Sequence, residues 1–257
     1  MRQDLLPNLL KAAQRNQSRG FLDLSLFEVG TIFSGKEPGQ QSIVATGLLV
    51  GNTSPRDPHG DRRAVDVFDT KADMEIILQA LVAPKTTKIY RDTPKVWHPG
   101  RSGRVSLGPK NTLAVFGEVH PKIVKSFGLK GSVLAFTILI ENIPTRKVNT
   151  ATRDALITSD FQAVDRDFSF ILDDRVEASL VVGAVESIDK SLIECVTVFD
   201  EFSGVKASQQ FGEGKKSLAI SVRLQPQDKT LTDKEIDEIS SKIIMVVRDK
   251  TGGELRS

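Results

Sequence analysis

Residues 212–217 read Gly-Glu-Gly-Lys-Lys-Ser, two glycines followed by two cations and a hydroxyl, the composition of a loop that wraps a phosphate. The spacing does not support that chemistry. A G-x-x-x-x-G-K-[ST] loop would need glycine at 209 and a hydroxyl at 216, where Gln209 and Lys216 stand. The run also leads into alternating residues, which is strand, whereas a phosphate loop opens onto a helix whose free N–H groups hold the anion. Lys215 and Lys216 are therefore expected to start a hairpin strand, standing in solvent.

The other chemistry-bearing residues are sparse. His59, His98 and His120 are the only histidines, and no two share metal-ligand spacing, so no metal site is expected. Trp97–Arg104, WHPGRSGR, gathers an aromatic, a histidine and two arginines around glycines. His98, Arg101 and Arg104 there suit a phosphate or a partner's carboxylate; the alternative is a glycine-rich turn whose arginines form surface ion pairs. No G-x-S-x-G elbow marks a nucleophilic serine. The single cysteine, Cys195 in LIECVTVF, reads as a small core or sheet residue and rules out an intramolecular disulfide, which fits a reducing cytoplasm.

What must position these groups is a chain of 257 residues, long enough for one large domain or two ordinary ones. Apolar residues make up 39% and charged residues 26%, as in an ordinary globular protein. No apolar run approaches the roughly 18–20 residues that span a bilayer. The amphipathic N-terminus, MRQDLLPNLLKAAQRNQ, lacks a signal-peptide pattern. The formal charge of +2 hides an asymmetry. Residues 1–160 hold 22 Lys/Arg against 15 Asp/Glu, and residues 161–257 hold 13 against 18. A basic first half suits a nucleic acid, and an acidic second half does not advertise one.

The polar, aperiodic stretch around 140–160 divides the chain into 1–145, a linker at 146–160, and 161–257. In the first part, Leu5, Leu6, Leu9, Leu10 and Ala13 make one helical stripe. Residues 22–33 do not hold one parity, which predicts a bulge or kink near Gly30. An apolar strand follows at 43–52, then a loop rich in turn residues and arginines. A helix is predicted over 65–82, with Asp69 or Thr70 as N-cap. Short strands, a short helix at HPKIVKSFGL and a last strand at SVLAFTILI complete an antiparallel α+β part.

The second part alternates more cleanly. Phe168, Phe170 and Leu172 share one strand face. Leu180, Ala184 and Ile188 have helical spacing, and Ile193, Cys195, Thr197 and Phe199 share one strand parity. Leu218, Ile220, Val222 and Leu224 face a core, with Lys216 on their parity and Lys215 and Arg223 opposite. Thr232 and Glu235 form a capping box with Leu231 and Ile236 as its staple; Ile236, Ile239, Ile243 and Val246 line the helix that Gly252-Gly253 ends. The order β-α-β-β-α-β is the ferredoxin-like split motif. Its open sheet face is a natural platform for RNA, where the basic residues of this half, Arg166, Lys215, Lys216, Arg223 and Arg256, suit phosphates and an exposed aromatic suits a base; the alternative is a solvated face.

VDRDFSFIL, VFDEFSG, GKKSLAISVRLQ, KTLTDKEI and GGELR occur in the order found in the ferredoxin-fold anticodon-binding domain of the bacterial phenylalanyl-tRNA synthetase beta subunit, which this half resembles. MRQDLLPNLL, RNQSRG, LFEVGTIF, HPGRSGRV and FGEVHPKI resemble the catalytic-like module of the same subunit. Gln162 and Asp165 depart from the family's usual proline and basic residue, and Asp165 weakens a phosphate contact beside Arg166. The resemblance implies a C-terminal fragment: a class II synthetase-like antiparallel sheet module without catalytic residues, then a ferredoxin-like domain that holds the anticodon stem-loop of phenylalanine tRNA. Its partner would be the alpha subunit in an α2β2 assembly, where ATP and magnesium act. The fragment itself would need no cofactor, no DNA and no membrane, would work in the cytoplasm, and would bind free tRNA weakly alone. Two other functions stay open: a pure assembly module without RNA contact, and an enzyme with a site around His98, Arg101 and Arg104.

Overall fold

The computed structural model describes residues 1–37, 39–60, 62–84, 86–144 and 158–256, so the expected linker lies outside the described residues as far as 157. The chain divides into two compact units, Met1–Ala151 and Thr152–Ser257. Among the described residues no helix is long and apolar enough to cross a membrane.

In the first unit the expected apolar stripe forms helix α1, Leu6–Ser18, and buries Leu6, Leu9, Leu10 and Ala13. The strands are β1 (Leu24–Phe33), β2 (Gln41–Val50), β3 (Lys88–Tyr90), β4 (Trp97–Leu107), β5 (Asn111–Val119) and β6 (Val133–Leu139). They form one antiparallel sheet in the order β1-β2-β6-β5-β4-β3. Helix α1 and the short α3 (Pro121–Ser126) share one core with Leu48, Val50, Trp97 and Val133. Helix α2 (Val67–Ala80) shares another with Leu113, Phe116 and Ile138. The two clusters draw on opposite parities of β2, Leu48 and Val50 against Ala45, so the helices cover opposite faces of the sheet.

Three expectations for this unit are corrected. The register of β1 on β2 runs unbroken from Leu24 to Phe33, with no bulge at Gly30. A Cβ at Gly30 would meet the guanidinium of Arg2, which reaches Glu28 and would have to shift aside. Parity reads as broken because β1 is apolar on both faces, leaving Phe27 and Val29 exposed. Helix α2 is capped by Asp66 rather than Asp69 or Thr70, because Asp66 accepts from the amides of Phe68 and Asp69 while Asp69 reaches back. WHPGRSGR is no turn but the first part of β4, whose register shifts between Trp97 and Ser102.

The second unit has the expected split motif. Strands β7 (Val164–Asp173), β8 (Ile193–Phe202), β9 (Lys215–Leu224) and β10 (Glu254–Leu255) form an antiparallel sheet in the order β10-β7-β9-β8. Helices α4 (Ala178–Glu186) and α6 (Asp233–Thr251) pack on one face around Phe170, Leu172, Leu218, Ile220 and Val222. The capping box of α6 is complete, and Gly252 closes the helix with a left-handed φ of 68°.

Details of facing are corrected here too. Val181, Ala184 and Val185 are the buried residues of α4, and Leu180 is exposed. In α6 the last buried position is Val247, one residue past Val246. Shifts after Ile193 and after Val198 break the parity of β8, so Ile193 is buried while Cys195, Thr197 and Phe199 are exposed. Cys195 is thus a sheet residue on the surface rather than in the core. A further helix, α5 (Val205–Phe211), lies between β8 and β9 and packs against β9. Its signal was Gly204 and Gly212, both with positive φ, bracketing a seven-residue run.

Candidate nucleic-acid interface

The sheet face opposite α4 and α6 carries Asp165, Asp167, Ser169, Ile171 and Asp173 from β7 and Lys215, Ser217, Ala219, Ser221 and Arg223 from β9, because these residues alternate with the core-facing ones. Its two ends differ. At one end Arg223 is held between two carboxylates: Nε donates to Glu194 at 2.9 Å, and Nη1 approaches Asp165 at 3.2 Å. The hydrogen bond to Glu194, followed by the charge of Asp165, raises the pKa of the guanidinium above its ordinary value. With Asp167 nearby in β7, this end is electrostatically closed to a phosphate.

At the other end α5 roofs part of the face. Phe202 lies across from Ser217 and meets the ring of Phe211 edge-on, centroids 6.1 Å apart. Arg256, whose backbone N–H donates to the carbonyl of Ser169, lays its guanidinium over Phe211 at 5.1 Å. Arg256 is exposed, as is Lys206 of α5, and Lys215 is half-buried opposite Asp173. Cations and aromatics meet here, so a phosphate backbone with an unstacked base finds its complement at this end. Phe199, 57% exposed at the second shift in β8, adds an aromatic that parity had placed among its neighbours.

Lys216 and Arg166 depart from the sequence reading. Lys216 has the core-facing parity expected of it, yet it is only 6% exposed, and its Nζ lies 3.4 Å from Glu201. The picture of both lysines in solvent is therefore corrected: the backbone alternation drives Lys216 inward, and Glu201 receives its charge. Arg166 also has the core-facing parity, pairing with Val222, but lies beyond the core in solvent. Its Nη1 donates to the carbonyl of Asp165 at 3.1 Å.

In the first unit, His98, Arg101 and Arg104 have internal partners. His98 Nδ1 accepts from the amide of Gly100 at 3.1 Å. Arg101 Nε lies 2.7 Å from Glu118, a buried carboxylate that also accepts from Ser132. Arg104 bonds both oxygens of Asp92 at 2.9 and 2.7 Å, reaches Ser106 and Thr112, and stacks on Tyr90. Among the described residues no group of three His, Cys, Asp or Glu side chains could hold a metal ion.

A four-stranded antiparallel sheet in this order, two helices behind it and an open face in front, is the ferredoxin-type architecture, and residues 159–256 match the family model described as "Ferredoxin-fold anticodon binding domain". Residues 1–140 match the model "Phenylalanyl tRNA synthetase beta chain CLM domain", and the chain belongs to the phenylalanyl-tRNA synthetase beta chain family. Proteins named phenylalanine–tRNA ligase beta subunit from Cereibacter sphaeroides, Ruegeria pomeroyi and Paramagnetospirillum magneticum are 58%, 53% and 46% identical to it over its whole length. The chain spans about a third of each, 32%.

Proposed function

We propose that this chain serves phenylalanine–tRNA ligation as a non-catalytic part of a beta subunit. Its second unit holds the anticodon stem-loop of phenylalanine tRNA, and its first packs against the alpha subunit and neighbouring modules of an α2β2 enzyme in the cytoplasm. ATP and magnesium act on the alpha subunit; nothing in this chain's role requires either. The observation that carries the reading is the α5 end of the open sheet face, where Arg256 lies over Phe211 of the Phe202–Phe211 pair on an anticodon-binding-type fold. The exposed Lys206 is on the same helix as Phe211, and Lys215 is on the same strand face as Ser217, the partner of Phe202. Lys216 has no part in it, Arg223 holds only a weak claim between its carboxylates, and Arg166 reaches RNA only from the sheet's rim. For subunit packing, Arg101 is the strongest of its group, with 57% of its side chain exposed against 13% for Arg104. A role in assembly alone draws on the exposed Phe199 and Val205.

Fluorescence anisotropy of a labelled anticodon stem-loop with the whole chain, at low salt, separates these readings. Lys206→Gln/Lys215→Gln/Arg256→Gln should weaken binding roughly tenfold or more, given the usual worth of phosphate contacts, while Lys216→Gln leaves it unchanged. Equal binding by the triple variant would sink the proposal and leave the assembly role.

A further inference from the structure

The helical layer of the first unit holds a charge that this reading does not use. Between Leu5 and Leu22 the sequence has Lys11, Arg15 and Arg19 and no carboxylate; between Val119 and Ile140 it has Lys122, Lys125 and Lys130 and again none. Residues 1–144 contain 19 Lys/Arg and 13 Asp/Glu, so the excess over this stretch equals these six residues in number. All six are exposed. Among the described residues, none of them takes part in an ion pair, a condition they share with Lys36, Arg56, Lys88, Lys95 and Lys110, whereas Arg2, Arg62, Arg63, Lys71, Arg101 and Arg104 are paired. What sets the six apart is that they lie together on one layer.

The fold gathers the six on one side. Helices α1 and α3 pack on the same sheet face, their leucines and valines in one core. The side chain of Gln17 clamps the loop after α3, donating to the carbonyl of Lys130 at 3.1 Å and accepting from its amide at 3.0 Å. Lys11, Arg15 and Arg19 follow one another at i, i+4, a like-charge spacing that costs a helix about 0.2–0.5 kcal/mol per pair. The carboxylates nearest this layer are already engaged: Asp4 accepts from the amide of Leu6, and Glu28 pairs with Arg2. A row of unpaired cations on a rigid layer, in two segments that hold no carboxylate of their own, is the electrostatic footprint of a polyanion site.

We propose that the α1–α3 layer binds the phosphate backbone of structured RNA, as a second contact surface separate from the anticodon-binding unit. The ligand class rests on the tRNA reading above; the site does not. Its six cations contact phosphate rather than base edges, so they supply salt-sensitive affinity rather than sequence choice. An arm of the same tRNA outside the anticodon stem-loop is the partner it fits.

The test uses the whole chain, a folded tRNA transcript, and a titration from 50 to 200 mM salt. With four to six phosphates engaged, the slope of log affinity against log salt should be about −3 to −5. Lys11→Gln/Arg15→Gln/Lys122→Gln/Lys125→Gln should weaken binding at least tenfold at 50 mM salt and bring the slope to about −1 to −2. All four positions are exposed, and an unchanged unfolding transition confirms the fold. Weakening by this variant but not by the variant of Lys206, Lys215 and Arg256 supports the layer alone. Weakening by the latter only overturns this proposal and leaves the anticodon reading standing. Loss of binding to vesicles containing anionic lipid, with RNA affinity intact, also overturns it.

Discussion

Among the described residues of the first unit the cations of α1 and α3 stand unpaired in solvent, whereas in the second unit Arg223 sits between Asp165 and Glu194 and Lys216 is sealed against Glu201. The open sheet face that suits an anticodon thus presents few free cations, and the α1–α3 layer of the first unit presents a row of them. Fold and charge point to different surfaces. An antiparallel sheet offers backbone alternation, which settles which side chains face out, but ion pairing settles which of those remain free to meet a phosphate. The comparison holds only if the two units keep separate cores, and that can be broken first.

Phe170 is fully buried in the second core, and Trp97, the single tryptophan, is buried in the first. Phe170→Ala should cost the second unit about 3–5 kcal/mol through lost burial and a cavity. Trp97 fluorescence should show its denaturation midpoint unmoved while part of the far-ultraviolet circular dichroism signal melts earlier. A fluorescence midpoint that falls with the dichroism would mean the units share one cooperative transition, and the contrast between them would lose its basis.

Much of this was legible in the residues, and the failures have physical causes. The stripe of α1, the β9 alternation and the Thr232–Glu235 box survive because each is a local pattern with one dominant period. Parity failed in β8 because two shifts lie between residues with no turn signal, and only cross-strand pairing creates them. The kink assigned to Gly30 failed because β1 carries apolar residues on both faces, with Phe27 and Val29 exposed, so broken parity there does not mark a bulge. Lys215 and Lys216 look alike in sequence; the pleat separates them, and only Glu201 in space explains why the inward one is tolerated. The six cations of α1, α3 and the turns that follow them were visible as letters, yet their shared layer appears only when 113 residues of separation close through Gln17 and Lys130.

Helix ends sharpen the comparison further. Gly252 ends α6 in the left-handed region at φ 68°, while the corresponding place after α2 holds Val82 at φ 56°. A β-branched residue there costs roughly 1–2 kcal/mol, part of which glycine returns through its larger unfolded-state freedom. A Cβ at Gly252 would meet nothing within 4 Å, so only the backbone resists a change there. Gly252→Val should therefore destabilise the second unit by about 1–2 kcal/mol, seen in dichroism. Val82→Gly should stabilise the first by about 0.5–1 kcal/mol, seen in the Trp97 midpoint. Movement of both in the same direction would show that backbone strain does not govern these ends.

The smallest effect concerns acid. Hydrogen bonding from Lys229, then from the backbone and hydroxyl of Thr232, lowers the pKa of Glu235 to about 2. In the first unit the Arg63 guanidinium lowers that of Asp69, the reciprocal member of the Asp66 box. A carboxyl depressed on folding contributes stability that is present above its unfolded value, near 4.3 for glutamate, and lost as pH falls through the folded value. For Glu235 the window runs from about pH 4 down to about 2. Glu235→Gln should flatten the acid limb of the second unit's stability in that window, leaving the Trp97 transition untouched. Asp69→Asn should do the reverse, because its charge partner Arg63 belongs to the first unit alone. An acid limb unchanged by either substitution would show that the boxes act as hydrogen bonds indifferent to charge.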